Sequence, residues 1–335
     1  MGHSLNGASV RTSVVVPAYE AWQTLPAMLE ALRPQVDRPD RELVLVESSG
    51  RHPADELERR WPWAQVVVLP ERTLPGRARN LGLERAAGEL IAFTDADAVP
   101  EAGWLDELES ALGPGVDAVA GAIVNGTPES RVGTAGFLLE FAEWSPRRTG
   151  PPLHGATCNL LVRRTALEKA DPFPFDMWPG EDTVVTARFQ QAGKLAFAPA
   201  ARVRHLNRRD LISHTVHQYR LGRSFAAVCR QVSLPHAQFT RLPLAVLAGP
   251  LRIPRLFWRL ATWKSLPPRY GALLPALAVG VCAWSAGLVA GNLGSTNAPS
   301  TAARRDRRPG RAPDRRPRRR RRDRACRVGS DRARP

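Results

Sequence analysis

Asp95 and Asp97, one residue apart in the segment FTDADA, are the side chains best placed for chemistry. They follow an apolar run, and residues i and i+2 of an extended exit share a side, so both carboxylates can converge on one hard divalent cation. A cation held there can bind a diphosphate and stabilise it as it departs. An Asp-rich strand-end turn would read the same way on its own. Upstream, LPGRARN opens a helix after Pro75-Gly76, with Arg77 and Arg79 in its first turn. Cations at a helix N-terminus oppose its dipole unless an anion lies nearby, and a pyrophosphate would supply one; the alternative is a solvated basic turn. Downstream, PGEDTVV sets Glu181 and Asp182 at the start of another helix. Either could cap that helix, or take the proton from an attacking hydroxyl. His205 closes a later strand, as a structural imidazole or as a neutral ligand completing a divalent site.

These residues need a frame that brings them together. Ser13–Val16, Glu42–Glu47, Gln65–Leu69 and Glu89–Asp97 are short runs of the kind that form strands buried on both faces. Between the first two, Trp22, Leu25, Met28, Leu29 and Leu32 recur at helical spacing, with Pro26 tolerated in the opening turn. Strand–helix–strand alternation implies parallel pairing, with ligands gathered at the carboxyl ends of the strands. Those ends carry Pro17–Glu20, Glu47–Gly50 and Thr94–Asp97, all polar exits. A further strand is expected at Asp117–Ile123, then a less regular stretch to about Pro152. A strand entering a helix follows at His154–Arg164, then a helix over Asp182–Ala192 capped by Gly193, then a strand over Lys194–His205.

Composition divides the 335 residues into three parts. The formal net charge is +16, but 16 Arg and 4 Asp fall in residues 295–335 and supply about +12 of it. The expected organisation is an α/β domain over 1–240, membrane-associated helices over 241–293 and a disordered Arg/Pro-rich tail over 294–335. Within the second part Pro243–Leu251 is apolar, and Arg252–Lys264 mixes Arg with Ile, Leu, Phe and Trp like an interfacial helix. Ala272–Gly291 is a 20-residue uncharged stretch, long enough for a bilayer span, a shallow anchor or a core helix. Arg residues flank it on both sides, which favours a shallow anchor or returning hairpin over one crossing. The tail lacks an apolar period and cannot fold alone. Its bias is also what GC-rich coding sequence yields out of frame. It has no aromatic interleaving, so specific nucleic-acid recognition is not expected. Cys158, Cys229, Cys282 and Cys326 form no CxxC pair, which suits a reducing compartment, and no apolar run of leader length precedes Pro17.

In order and spacing, VVVPAYE, the acidic end at Glu47, the ARN…AAGE helix, DAD, GED and the strand-end His resemble the family 2 glycosyltransferases of the GT-A fold. The resemblance spans about Thr12 to Arg230. It implies a Rossmann-like mixed α/β sheet flanked by helices, a nucleotide-diphosphate sugar donor (UDP by family habit) and a divalent metal cofactor, Mn²⁺ or Mg²⁺. By that resemblance Pro17, Ala18, Tyr19, Glu20 and Glu47 line the base pocket, and Arg77, Arg79 and Asn80 belong to the donor-binding helix. Asp95 lies near the ribose, sugar and metal. Asp97 holds the metal with His205, a donor set that favours manganese. Asp182 is the general base of an inverting displacement, and Glu181 supports the acceptor side. Two departures stand out. Glu47-Ser48-Ser49-Gly50 replaces the usual Asp-Asp-Gly-Ser, and His217–Leu221 offers no Gln-x-x-Arg-Trp, the mark of processive members.

The expected function is therefore non-processive sugar transfer to a lipid-linked or cell-envelope acceptor at the cytoplasmic membrane face. One rival is a nucleotidyltransferase on a similar sheet, although VVVPAYEAWQ lacks the Gly-rich loop and Lys that a triphosphate would need. The other is a non-catalytic membrane-tethered binding protein whose active element is the tail. Deleting Ser295–Pro335 separates the last from the first: sugar transfer is expected to survive while retention on a heparin column is lost. Loss of transfer with retention kept would favour the binding protein.

Overall fold

The structure, a computed structural model, describes residues 10–169, 172–234, 237 and 248–294; the expected tail and most of Pro243–Leu251 lie outside them. Four apolar segments form β1 (Thr12–Ala18), β2 (Arg41–Glu47), β3 (Ala64–Val68) and β4 (Leu90–Phe93). They pair in parallel in the order β3-β2-β1-β4. Val14, Val15, Val16, Val44, Leu45 and Ile91 are fully buried, as continuous apolar strands covered on both faces must be. The connecting helices are α1 (Leu25–Val36), α2 (Ala54–Arg60) and α3 (Pro75–Arg85). Proline opens both α1 and α3, where its missing N–H has no partner to lose. Gly82 lets α3 press on the sheet, since a Cβ there would stand 2.4 Å from Cγ1 of Val15.

The run Glu89–Asp97, expected as one strand, divides. Strand β4 ends at Phe93, Thr94–Asp97 turns, and β5 (Ala98–Pro100) begins a new pairing. The Thr94 hydroxyl fixes the turn by donating to the carbonyl of Cys158 at 3.0 Å. The rest of the sheet comprises β6 (Ala118–Asn125), β7 (Leu160–Arg163) and β8 (Leu195–His205). It is mixed: β7 lies antiparallel between β4 and β6, β6 runs parallel to β8, and β5 closes the edge antiparallel to β8. Buried Asn159 joins its parts, donating to the carbonyls of Ala122 and Ala201 and accepting from the Trp104 indole.

Helices α4 (Trp104–Ser110), α5 (Arg131–Phe141), α6 (Arg164–Lys169) and α7 (Glu181–Gln191) flank this half. Helix α5 occupies the stretch expected to be irregular. It is capped by Ser130, whose hydroxyl accepts the Gly133 N–H at 3.0 Å. Gly193 follows α7 with φ +69°, the left-handed conformation expected of a helix-ending glycine.

Three C-terminal helices, α8 (Leu211–Gln231), α9 (Arg252–Thr262) and α10 (Leu274–Gly294), belong to the same compact unit as the sheet. Leu256 and Leu260 of α9 and Leu277 of α10 are buried with Leu138 and Leu139 of α5. Tyr270–Gly294 is long and apolar enough to cross a bilayer, with mean hydropathy 2.0. Yet one face of α10 lies directly on α8. A Cβ at Gly287 would stand 2.0 Å from the Tyr219 carbonyl oxygen, and one at Gly222 would stand 1.9 Å from that of Trp284. Backbone meets backbone along this seam. Gly287→Val is expected to cost about 1–3 kcal/mol by overpacking it, measured as a shift in denaturant midpoint against Ala278→Val on the exposed face of α10.

Candidate active site

The carboxyl ends of the parallel strands open into a cavity of about 1150 Å³. Its walls include Pro17, Ala18, Tyr19 and Glu20 from the β1 exit, Asp95 and Asp97 from the turn after β4, and His205 from the end of β8. Glu181 and Asp182, at the start of α7, face the same space. Asp95, Asp97, Glu181, Asp182 and His205 thus line one cavity. Sheet register explains much of this. Ala98 pairs with His205 across β5 and β8, and the Leu206 N–H donates to the Asp97 carbonyl at 2.8 Å, so the second aspartate and the strand-end histidine are neighbours.

Nε2 of His205 lies 3.6 Å from Oδ1 of Asp97, too long for a direct hydrogen bond. The other ring nitrogen is fixed. Asn207 donates its amide N–H groups towards Oδ1 of Asn125, Oγ1 of Thr127 and the carbonyl of His205, which leaves its oxygen 3.1 Å from Nδ1 of His205. Nδ1 is thus taken up by Asn207, and Nε2 is the ring nitrogen turned to Asp97. A carboxylate and an imidazole lone pair are a suitable donor set for a divalent ion. Among the described residues no group of three or more His, Cys, Asp or Glu could hold an ion by itself, so ligand oxygens would have to complete the shell.

Arg79 answers the question of the anion differently from the expected pyrophosphate. Its buried guanidinium donates to Asp95 Oδ1 at 2.7 Å and to Glu181 Oε1 at 2.6 Å. Burial opposes its charge, but the two carboxylates hold its pKa above the usual value. This pairing also redirects two other residues. Asp95 is engaged by Arg79 rather than grouped with Asp97 and His205, and Glu181 reaches inward to Arg79 rather than to an acceptor. Burial pushes the Glu181 carboxyl up to about 7, with Asp182 adding repulsion, against the pull of Arg79. The neighbouring Asp182 is half-buried. Its Oδ1 accepts the Thr183 N–H at 2.6 Å, while Oδ2 has only a 3.5 Å contact with the Thr157 N–H.

At the base side, Tyr19 is 39% exposed, with the Arg72 guanidinium 4.8 Å from its ring centre. Glu20 adopts φ +50°, unusual for a side chain of its size, and pairs with Arg51 at 2.8 Å. Three expected donor residues lie off the cavity wall. Glu47 is buried behind it, with Oε1 accepting the Ser49 N–H, and its neighbour Ser48 takes the wall position. Arg77 is exposed on α3. Asn80 exchanges two hydrogen bonds with the backbone of Phe173 and so ties α3 to the loop before α7.

The cavity also holds residues that the sequence did not single out for chemistry. Glu140 of α5 meets Nε2 of His217 on α8, with both carboxylate oxygens at 3.1 Å. Burial works against the Glu140 charge, but His217 outweighs it and holds the carboxyl at about 2. Glu143 lies 3.5 Å from Arg148 and 3.6 Å from Arg259. None of these stands in a local motif, so only tertiary packing reveals them.

Residues 13–170 match the family model described as glycosyl transferase family 2. Glycosyltransferase AglE of Haloferax volcanii is 29% identical over 195 residues, covering 56% of this chain and 64% of its own length. The pre-mycofactocin glycosyltransferase of Mycobacterium tuberculosis is 31% identical over 162 residues, covering 44% of this chain and 33% of its own. The chain thus spans between one third and just under two thirds of these curated relatives. Among solved structures, the mannosyltransferase PcManGT of Pyrobaculum calidifontis, in complex with GDP-Man and Mn²⁺, superposes with a TM-score of 0.55 at 22% identity, covering 87% of this chain and 88% of that one. S. aureus TarS 1–349 in complex with UDP-GlcNAc gives 0.51 at 17%, covering 85% and 92%. These likenesses bear out the expected GT-A fold.

The raised pKa of Glu181 has a sign that can be tested. A carboxyl raised in the folded protein binds its proton more tightly there than in the unfolded chain, so its contribution to stability falls as pH rises from about 4.5 through about 7. Glu181→Gln removes that titration. The stability of the variant relative to the parent is expected to improve between pH 5 and pH 8, measured by urea unfolding at each pH; a constant difference would contradict the assignment.

Proposed function

We propose that this chain, whose residues 13–170 belong to glycosyl transferase family 2, is an enzyme that transfers a sugar from a nucleotide diphosphate, with UDP as the nucleotide, to an acceptor hydroxyl with inversion. The observation that carries this reading is that Asp97, His205 and Asp182 line one cavity at the carboxyl ends of the parallel strands. Ligands of such sheets gather there.

Within this reading the β1 exit, Pro17 to Glu20, receives the nucleoside. Asp97 and Nε2 of His205 would hold the divalent ion, and manganese would suit the imidazole. Bound there, the ion supplies the positive charge that a departing diphosphate requires. Asp95, steadied by Arg79, faces the ribose and sugar. Asp182 takes the proton of the acceptor hydroxyl on Oδ2, the oxygen without a short hydrogen bond. One catalytic carboxylate suffices, because the diphosphate leaves without needing a proton. Glu181, turned to Arg79, sets the position of Asp182 through the shared first turn of α7. The charge of Arg79 is directed to Asp95 and Glu181.

His217 is engaged by Glu140 and no Trp follows Arg220, which supports addition of one or few sugars rather than processive synthesis. On α9, Phe257 and Trp258 are 48% and 69% exposed, beside Arg255. Apolar and cationic side chains so mixed favour the headgroup region of a bilayer. We assign the chain to the cytoplasmic membrane face, with a lipid-linked or envelope acceptor.

A screen of nucleotide sugars with and without Mn²⁺, read as release of the nucleoside diphosphate, tests the proposal. Asp97→Ala is expected to lower turnover at least 100-fold. Asp182→Asn is expected to retain donor binding within about threefold while transfer falls at least 100-fold. Turnover unchanged by both substitutions would remove the site assignment.

A further inference from the structure

The segment before β7 wraps the start of α7, and it brings to the cavity wall an imidazole, His154, that has no part in the chemistry described so far. Gly155 is pinned to α7 by the buried Thr186 hydroxyl, which accepts the Gly155 N–H at 2.9 Å and lies 3.0 Å from the Gly155 carbonyl and 2.7 Å from that of Asp182. This clamp sets the His154 ring beside the first turn of α7. Its Nδ1 lies 3.4 Å from the Thr183 hydroxyl oxygen, and that oxygen lies 3.3 Å from Oδ1 of Asp182. Trp144 steadies the ring: the two side chains meet edge-on with centroids 5.0 Å apart, and the indole N–H donates to the His154 carbonyl at 3.1 Å.

The direction of these contacts follows from what each group can do. An ionised Asp182 only accepts hydrogen bonds, so the Thr183 hydroxyl beside it donates. The Gly155 carbonyl, 3.4 Å from the same Nδ1, also only accepts. A proton on Nδ1 suits both neighbours of the ring nitrogen, and the hydroxyl oxygen is left to receive it. Oδ1 of Asp182 is then held twice, by the Thr183 N–H and by its hydroxyl, while Oδ2 keeps only the 3.5 Å contact with the Thr157 N–H. Beside His154 stands Glu143, on the turn after α5, which accepts the Leu153 N–H at 3.3 Å and pairs with Arg148 and Arg259. Burial opposes the Glu143 charge, and a charged His154 leads the groups that hold its pKa below the usual carboxylate value. The imidazole lies between two carboxylates, Glu143 and, through Thr183, Asp182.

From this geometry we infer that His154 is a positioning residue: through the Thr183 hydroxyl it fixes the rotation of the Asp182 carboxylate, so that Oδ2 is the oxygen offered to the acceptor hydroxyl. The role rests on the transfer proposed above, in which Asp182 is the base, and adds the two side chains that keep this base oriented. A carboxylate free to rotate presents its reactive oxygen for only part of the time, and orientation is a large share of what a base contributes. The other charged groups that Asp182 feels are Glu181, next to it, and Arg79, and the Cys158 thiol lies on the same wall. Replacing Thr183 or His154 leaves all three in place. A displaced pH profile in those variants therefore belongs to the line from imidazole to carboxylate.

The test uses the full chain in two measurements. The first needs no substrate: a long-range proton–nitrogen correlation spectrum at mildly alkaline pH, with the His154 signals identified by their loss in His154→Gln, reads which ring nitrogen carries the proton. The Nδ1–H form is expected, with its Nδ1 signal displaced in Thr183→Val. The Nε2–H form would overturn the inference whatever the turnover. The second measurement is the release of UDP from UDP-glucose and from UDP-N-acetylglucosamine in the presence of Mn²⁺. Thr183→Val and His154→Gln are each expected to lower kcat about 10-fold while the KM of the donor stays within about twofold. A carboxylate that loses a donated hydrogen bond holds its proton more tightly, so the acid limb of the kcat profile is expected to move up by about half a pH unit in both. The double variant is expected to lose no more than the weaker of the two single variants. Thr183→Ser, which keeps the hydroxyl, and Thr149→Val, at an exposed position, are expected to match the parent. A purely structural His154 would lower the melting temperature and leave the acid limb in place. An unmoved limb in both single variants, or losses that multiply in the double variant, overturns the inference. If His154→Gln does not fold by thermal melting, the contrast between Thr183→Val and Thr183→Ser decides. UDP release with an unmoved limb counts against this inference alone, whereas the Nδ1–H form without UDP release from either donor counts against the enzymatic reading alone.

Discussion

The buried guanidinium of Arg79 is the interaction on which the cleft depends. It is carried by α3 and is shared between Asp95, from the turn after β4, and Glu181, from the start of α7. Without it, Asp95, Glu181 and Asp182 would bring like charges together beside a buried helix start, and no arrangement of the two halves of the sheet would make them compatible. With it, residues 102 positions apart in the chain are held within hydrogen-bond distance. A buried ion pair is a poor source of net stability. Its value here is geometric, because it fixes the distance between the turn after β4 and the helix that presents Asp182.

The same residue marks how far the sequence could be read. Two arginines in the first turn of a helix announced that an anion must be near, a local argument that needs no knowledge of the fold. Which anion it was depended on long-range pairing, and Arg79 proved to be matched by the protein's own carboxylates while Arg77 faces solvent. Strands β1 to β4 and helix α1 were legible because apolar runs and helical spacing are local signals. The boundary between β4 and β5 was not. A continuous sequence of strand formers gives no sign that Thr94 will bend the chain by donating to a carbonyl on another segment. Helix α5 was hidden because it is buried on several sides and interrupted by Gly133 and Gly136, so it lacks a polar face to set a period.

The cavity residues that the sequence marks and those that it does not differ in the same respect. Asp95, Asp97, Asp182 and His205 stand at ends of strands and helices, where sequence punctuation locates them. Glu140 and His217 stand within helices, with no punctuation to mark them, and acquire meaning only when α5 and α8 pack. The mixed half of the sheet matters for both sets. By running β7 antiparallel between β4 and β6, it brings the end of β8 back beside β5, and the imidazole arrives next to the second aspartate without any sequence proximity.

The glycine seam between α8 and α10 has a bearing on how this molecule can be handled. Trp284 lines the cavity from a helix whose backbone lies flush against α8, so the most apolar of the described helices is also masonry of the cavity wall. A shortened soluble form ending near residue 240, the natural cut for anyone trimming away greasy sequence, would lose that wall and bare the groove on α8 that it covers. Such a fragment would keep the strand ends intact and still lack one wall of the cavity they open into.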